Sequence, residues 1–230
     1  MEIVWTIALG GALAALLGFG LRRLRAAAHG RAAARASYFH ALAGLFTDVR
    51  MGRTDHGFAR LNGRYHGQLF DLQVVPDTLT FRKLPSLWLM VTLPQPQPLR
   101  TTTDFMRRPT GAEVFSHFGA LPVQIGTPTG FPADTAVRTD NPDDLPDDQL
   151  LSPIRAAFFS DRVKEVLVGP RGIRIVWLAE EGDRSRYLIF RDAELGMVPL
   201  PDGVLRPLLD HCSAIAAAVT TVAKAEGKAA

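Results

Sequence analysis

The sequence predicts an α+β protein, with an N-terminal transmembrane helix followed by a soluble domain of mainly antiparallel strands with flanking helices. Three observations carry that reading. An uncharged apolar run, IVWTIALGGALAALLGFGL, spans Ile3–Leu21 and is followed at once by Arg22, Arg23 and Arg25. Two groups of short strand-like segments, each cut by turn residues, flank a middle rich in Gly, Pro and Thr. Helical periodicity opens and closes the part after the run. Strands grouped in runs, with helices between the groups, favour α+β over a doubly wound parallel sheet.

The first element follows from length. A hydrocarbon core of about 30 Å takes about 20 apolar residues in a helix. A cleaved signal peptide competes for the same residues, but it carries a basic start and an apolar stretch of about 7–15 residues. Here Met1-Glu2 brings an acid and no base, and the run is longer. A buried helix of a soluble protein would show a polar stripe, and only Thr6 interrupts this one.

Charge sets the orientation. The membrane-proximal basic residues are Arg22, Arg23, Arg25, Arg31 and Arg35, and between residues 22 and 64 the only acids are Asp48 and Asp55. Cationic residues near a span stay on the cytoplasmic side. Residues 1–2 therefore face out, and the bulk of the chain lies in the cytoplasm at the inner membrane. The same arginines attract anionic headgroups, although topology alone accounts for them. The lipid bilayer is thus the expected partner of residues 3–21. Gly11 and Ala15, like Ala14 and Gly18, share the small-xxx-small spacing that lets two helices approach. An Ala/Gly-rich composition gives the same spacing, so self-association through the span stays open.

Residues 22–35 read as a basic juxtamembrane stalk, helical or flexible. From Ala36 to Val49, Phe39, Leu42, Leu45, Phe46 and Val49 recur at helical spacing and predict an amphipathic helix ending before Gly52. Phe58, Leu61 and Tyr65 lead into a tight turn at His66-Gly67. Leu69–Val75 alternates in part and stops at Pro76-Asp77. Leu79–Leu84 is a further short strand. Leu87–Leu93 is a continuous apolar run between prolines and predicts a central strand. Leu99–Phe105 completes the first meander.

Residues 107–148 read as irregular, ending in an acidic stretch with Asp134, Asp140, Asp143, Asp144, Asp147 and Asp148. Leu150–Phe159 predicts a helix capped by Asp147 or Asp148. Val163–Val168, Ile173–Leu178 and Arg186–Phe190 form a second meander with turns at Gly169–Gly172 and Glu181–Asp183. The closing helix, Val204–Val222, puts Leu205, Leu208, Leu209, Cys212, Ile215, Ala216 and Val219 on one face. Residues 36–222 are then one soluble domain. A single sheet and two lobes, 36–125 and 149–222, both fit. Residues 223–230 read as a flexible tail.

Chemistry is sparse. The six histidines include no pair four apart on a helix, and HExxH and CxxC are absent. No GxSxG is present. Cys212 falls on an apolar helix face, where a thiol behaves as a small hydrophobe, and a lone cysteine suits a reducing compartment. The acidic stretch lacks the central Gly and terminal Glu of a calcium loop. Arg100, Arg107 and Arg108 beside Phe105 suit an anion, or simply an exposed strand edge. The net charge of +3 comes largely from the juxtamembrane arginines, which leaves no basic bias toward nucleic acid. No catalytic, cofactor-binding or metal-ligating residue is assigned, and no cofactor is expected.

The segments GRYHGQLFDLQVVPDTLTFRKLPSLWLMVTLP, RRPTGAEVFSHFGALPVQI and IRIVWLAEEGDRSRYLIFRDAE resemble parts of uncharacterised bacterial membrane-anchored proteins of a single-pass family. The resemblance spans most of the soluble part and brings no activity with it. The function expected is a non-enzymatic, membrane-anchored interaction or scaffold domain. A membrane-associated hydrolase or lipid-modifying enzyme, using His66 or His117 and the basic residues of 100–108, is the alternative. An exported protein with a cleaved signal is the other.

Overall fold

Helix α1 runs without a break from Glu2 to Ala36. Its second half, RRLRAAAHGRAAARA, is built from strong helix formers with no proline, so the stalk is the direct continuation of the apolar run. The computed structural model describes residues 2–78, 84–185, 187 and 193–229, the side chains of 2–4, 6–9 and 226–229 excepted.

After α1 the chain makes a 3-10 helix, His40–Leu45, and then turns outward into strand β1, Thr47–Arg53. The amphipathic helix expected from Ala36 to Val49 is therefore replaced by a turn, this 3-10 helix and the first residues of β1. Phe46 is extended, with φ −120° and ψ 152°, and its Cβ lies 2.8 Å from where a side chain at Gly63 would begin. The glycine lets Phe46 seat on the sheet, and that close approach takes the chain out of the helix.

Strands β2 (Ala59–Tyr65) and β3 (Gln68–Asp77) form a hairpin through His66-Gly67. Both turn residues have positive φ, 48° and 81°, as a two-residue hairpin turn of the primed kind requires. The remaining strands are β4 (Ser86–Leu93), β5 (Thr103–Arg107), β6 (Val123–Ile125), β7 (Thr135–Thr139), β8 (Val163–Gly169) and β9 (Gly172–Glu181), with helices α2 (Asp148–Ala156) and α3 (Asp202–Ala229). Strand β5 begins four residues later than the expected Leu99. Strands β6 and β7 lie in the stretch expected to be irregular.

Among the described residues the strands form one nine-stranded sheet, in the order β1-β2-β3-β4-β9-β8-β5-β7-β6. Every pairing in it is antiparallel. The hairpin β8–β9 inserts between β4 and β5, which joins both strand groups into one sheet. The expected strand Leu79–Leu84 lies outside the described residues except for Leu84. So does Arg186–Phe190, except for Tyr187, whose amide donates to Asp183 O in a helical turn.

Alternation divides the two faces. Leu87, Leu89, Val91 and Leu93 of β4 join Ile173 and Ile175 of β9 in the main core, against α2 and α3. All seven residues expected on the apolar face of α3 are buried there. On the opposite face Trp88, Met90, Met106 and Val176 pack under Phe115 and Phe118 of the 108–121 loop. The architecture is a mixed α+β fold: a large antiparallel sheet, helices on one face and an ordered loop on the other. Asp147 caps α2, its Oδ1 accepting from Leu150 N at 2.9 Å.

Candidate functional site

The five arginines expected to lie near the membrane are on α1. Arg22, Arg23 and Arg25 are exposed, and Arg31 and Arg35 are half-buried. The Arg23 guanidinium sits 5.7 Å from the centre of the Phe19 ring, one turn back. Arg35 points into the domain: its Nε donates to Leu195 O at 3.2 Å. Among the described residues, no helix is long and apolar enough to cross a membrane. The span expected at Ile3–Leu21 reaches past them, since the side chains of Ile3, Val4 and Thr6–Leu9 lie outside the description.

A second place gathers polar side chains on the loop-covered face. Antiparallel register sets Asp104 of β5 opposite Leu167, and Met106 opposite Glu165. Asp104 and Glu165 are therefore diagonal neighbours on one face, within side-chain reach. Arg174 of β9 stands opposite Leu167, so it flanks Glu165 from the other side. Asp104 and Glu165 are both fully buried.

The partners of these groups are unequal. Glu165 Oε2 accepts from Arg174 Nε at 3.2 Å, with the guanidinium's NH2 at 3.1 Å. Glu165 Oε1 accepts from the Ser116 hydroxyl. Neither oxygen of ionised Asp104 has a donor. Burial, and then the Glu165 charge and a hydrogen bond to Glu165, hold the Asp104 carboxyl well above the ordinary carboxylate range, against the pull of Arg174. Two ionised carboxylates cannot hydrogen-bond each other, so that bond exists only while Asp104 keeps its proton. The trio is then neutral overall: a carboxylic acid, a carboxylate and a guanidinium.

Asp104 and Arg174 border a pocket of about 520 Å³. The turn of hairpin β8–β9, with Arg171, forms one wall. His117 and Asp140 also line it. Asp140 is engaged, since its Oδ1 accepts from Thr102 N at 2.9 Å. No hydrogen bond joins His117 to a carboxylate among the described residues.

Several other polar residues singled out in the sequence have structural duties. Arg107 pairs through two hydrogen bonds of 2.8 Å with Asp134, and Arg108 donates to Asp161 O at 2.8 Å. Phe105 is buried in the main core. The edge reading also fails, because β5 lies between β8 and β7. His66 forms the β2–β3 turn. In the acidic stretch Asp144 accepts from the Thr101 hydroxyl at 2.7 Å, tying that segment to the approach of β5. Among the described residues, no group of three or more His, Cys, Asp or Glu side chains could hold a metal ion. Cys212 is buried, and burial pushes its thiol far up, which leaves it inert as a nucleophile.

Sequence reasoning missed Asp104, Glu165 and Arg174. The available signal was a charged residue inside each of three strand-like segments, TDFMR, VKEVLVG and GIRIVWL. The pairing of those segments, which puts the three charges together, has no local trace.

No protein-family model matches the chain, and no curated protein matches it. Among solved structures, the crystal structure of the mycobacterial trehalose monomycolate transport factor A is similar to it. That similarity covers 75% of this chain and 99% of the other, at 10% sequence identity and a TM-score of 0.39.

Proposed function

We propose that this chain is a single-pass, membrane-anchored protein that holds a non-enzymatic interaction domain at the cytoplasmic face of the inner membrane. The observation that carries this reading is the surface of α1. Leu13, Leu16, Leu17, Phe19 and Leu21 are each more than half exposed, with no protein around them. A helix apolar on all sides belongs in a protein core or in a bilayer. The sequence extends the same surface back to Ile3 without a charge. Moving each such large side chain from water to lipid is worth about 2 kcal/mol.

The arginines that follow support the orientation. Arg22, Arg23 and Arg25 sit in the first turn beyond Leu21 and keep their side of the membrane cytoplasmic. Specific lipid recognition by these residues is not needed for that role.

Sedimented membranes washed with carbonate, combined with protease added outside spheroplasts, test the reading. The expected result is a chain that stays with the membrane and a domain that resists digestion. Release by carbonate, or digestion of the carboxy-terminal part from outside, overturns it. Replacing Arg22, Arg23 and Arg25 together with Glu is expected to weaken or invert the orientation in the same assay.

A further inference from the structure

We infer that the pocket beside Asp104 binds a ligand bearing a primary ammonium group, whose N–H donors satisfy the two carboxyl oxygens that no protein donor reaches. The inference stands apart from the membrane anchor. It rests on three facts about the pocket. Asp104 is fully buried, it borders an open pocket of about 520 Å³, and both its oxygens lack a donor when ionised. A buried polar group without a partner calls for a specific explanation. Glu165 can only accept from the protonated form, and the nearby donors, Arg174 and Ser116, are both directed at Glu165, so the ionised form has no donor within the protein.

Charge selects the class of ligand. With Asp104 protonated, the trio of Asp104, Glu165 and Arg174 is neutral. If an ammonium enters and the proton leaves to solvent, two carboxylates then face a guanidinium and an ammonium, and the site is neutral again. Arg171 on the wall could pair with an anion in the pocket, but an anion placed against Asp104 would face the Glu165 and Asp104 carboxyls, with the Glu113 charge adding to the same negative field. A neutral hydroxyl can bond either form of Asp104, donating to the carboxylate or accepting from the acid, so its binding would displace no proton. The exchange balances: the Asp104 O–H bond breaks, one proton goes to water, and the carboxylate accepts from the ammonium. Charge-assisted hydrogen bonds of this kind are the strong ones.

The ammonium could come from a free small amine or from a lipid headgroup, and the test separates the two. Full-length protein in detergent is titrated calorimetrically with ethanolamine, in buffers of different ionisation enthalpy, at several pH values. Full-length protein in nanodiscs is compared between phosphatidylethanolamine and phosphatidylcholine, with the environment of the pocket followed by NMR of an isotope-labelled His117. The expected result is saturable binding in at least one arm, with release of up to one proton per ligand. Affinity should tighten with pH by up to about tenfold per unit while Asp104 stays protonated. Choline, a cation with no N–H donor, should bind wild-type protein more than about tenfold less tightly. Asp104→Asn should abolish the proton release and weaken ethanolamine binding by a similar factor. The choline comparison needs no variant, so a poorly folded Asp104→Asn protein leaves the test decisive. The inference is overturned by no saturable binding in either arm, by equal binding of choline, or by proton release that persists in folded Asp104→Asn.

Discussion

The guanidinium of Arg35 lies 5.0 Å from the centre of the Phe58 ring. Through this contact, and the bond from Arg35 Nε to Leu195 O, the last turn of α1 is fastened to the domain at the β1–β2 turn. Phe58 is itself buried and stands against Gly196, where an added Cβ would lie 2.3 Å from the ring. Glycine at 196 and arginine at 35 therefore grip the same aromatic ring from two directions.

Arg35→Ala is expected to cost about 1–2 kcal/mol, the sum of a partly desolvated cation–π contact and a hydrogen bond. For a domain of this size that lowers the melting temperature by about 2–4 °C per kcal/mol. Arg35→Lys should recover less than half of the loss, because an ammonium cannot both stack on the ring and donate sideways. Thermal unfolding of the three proteins checks the order.

Gly172 and Gly57 both have positive φ, 141° and 79°, but their surroundings differ. A Cβ at Gly57 meets nothing within 4 Å, whereas at Gly172 it would lie 2.2 Å from Leu93 O, a backbone atom of the central strand. Gly57→Ala should cost about 1 kcal/mol for the left-handed backbone alone. Gly172→Ala should cost about 2 kcal/mol more, because overpacking has to move backbone. Urea unfolding midpoints compare them, and equal losses would contradict the crowding described at Gly172.

Asp147→Ala removes the cap of α2 and is expected to destabilise the fold by about 1 kcal/mol. Asp147→Asn or Asp147→Ser should restore most of it, since either side chain can still accept from Leu150 N. Asp148→Ala should be nearly neutral, because Asp148 lies inside the first turn and leaves the cap bond intact.

Two carboxyls give opposite pH limbs. Asp134 is held below the ordinary value of 3.8, first by its paired hydrogen bonds from Arg107. The stability it contributes is full above the unfolded-state value and is lost as pH falls through the folded-state value. Asp104 is held above 3.8, first by burial. Its contribution is full below the unfolded-state value and is lost as pH rises through the folded-state value. Arg107→Gln should therefore flatten the acid limb of a stability–pH curve. Asp104→Asn should flatten the decline on the other side and raise relative stability near neutrality.

Local chemistry made much of the fold legible. The β2–β3 hairpin was readable at His66-Gly67, and β4 from its apolar run between prolines. The whole inner face of α3 and the Asp147 cap were also visible. These features depend on neighbours in the chain. Strand β1 was not legible, because its exposed edge gives no alternation and the aromatic residues before it mimic a helical stripe. Strands β6 and β7 hide among Gly, Pro and Thr and owe their pairing to β5. The trio of Asp104, Glu165 and Arg174 depends on β8–β9 inserting between β4 and β5, which is a contact of long sequence separation. Its members look in sequence like isolated exceptions to three apolar patterns.

The unbroken course of α1 has a mechanical consequence. Residues 22–36 contain no hinge, so the β-domain is mounted on its shaft with a fixed azimuth as well as a fixed height. By helix geometry, each residue added to the shaft would screw the domain round by about 100° and lift it by about 1.5 Å. Insertions of three or four residues would return nearly the same aspect toward any neighbour of the shaft, whereas one or two would turn it away. Function that depends on such a neighbour should thus rise and fall with the helical period rather than with the length of the shaft.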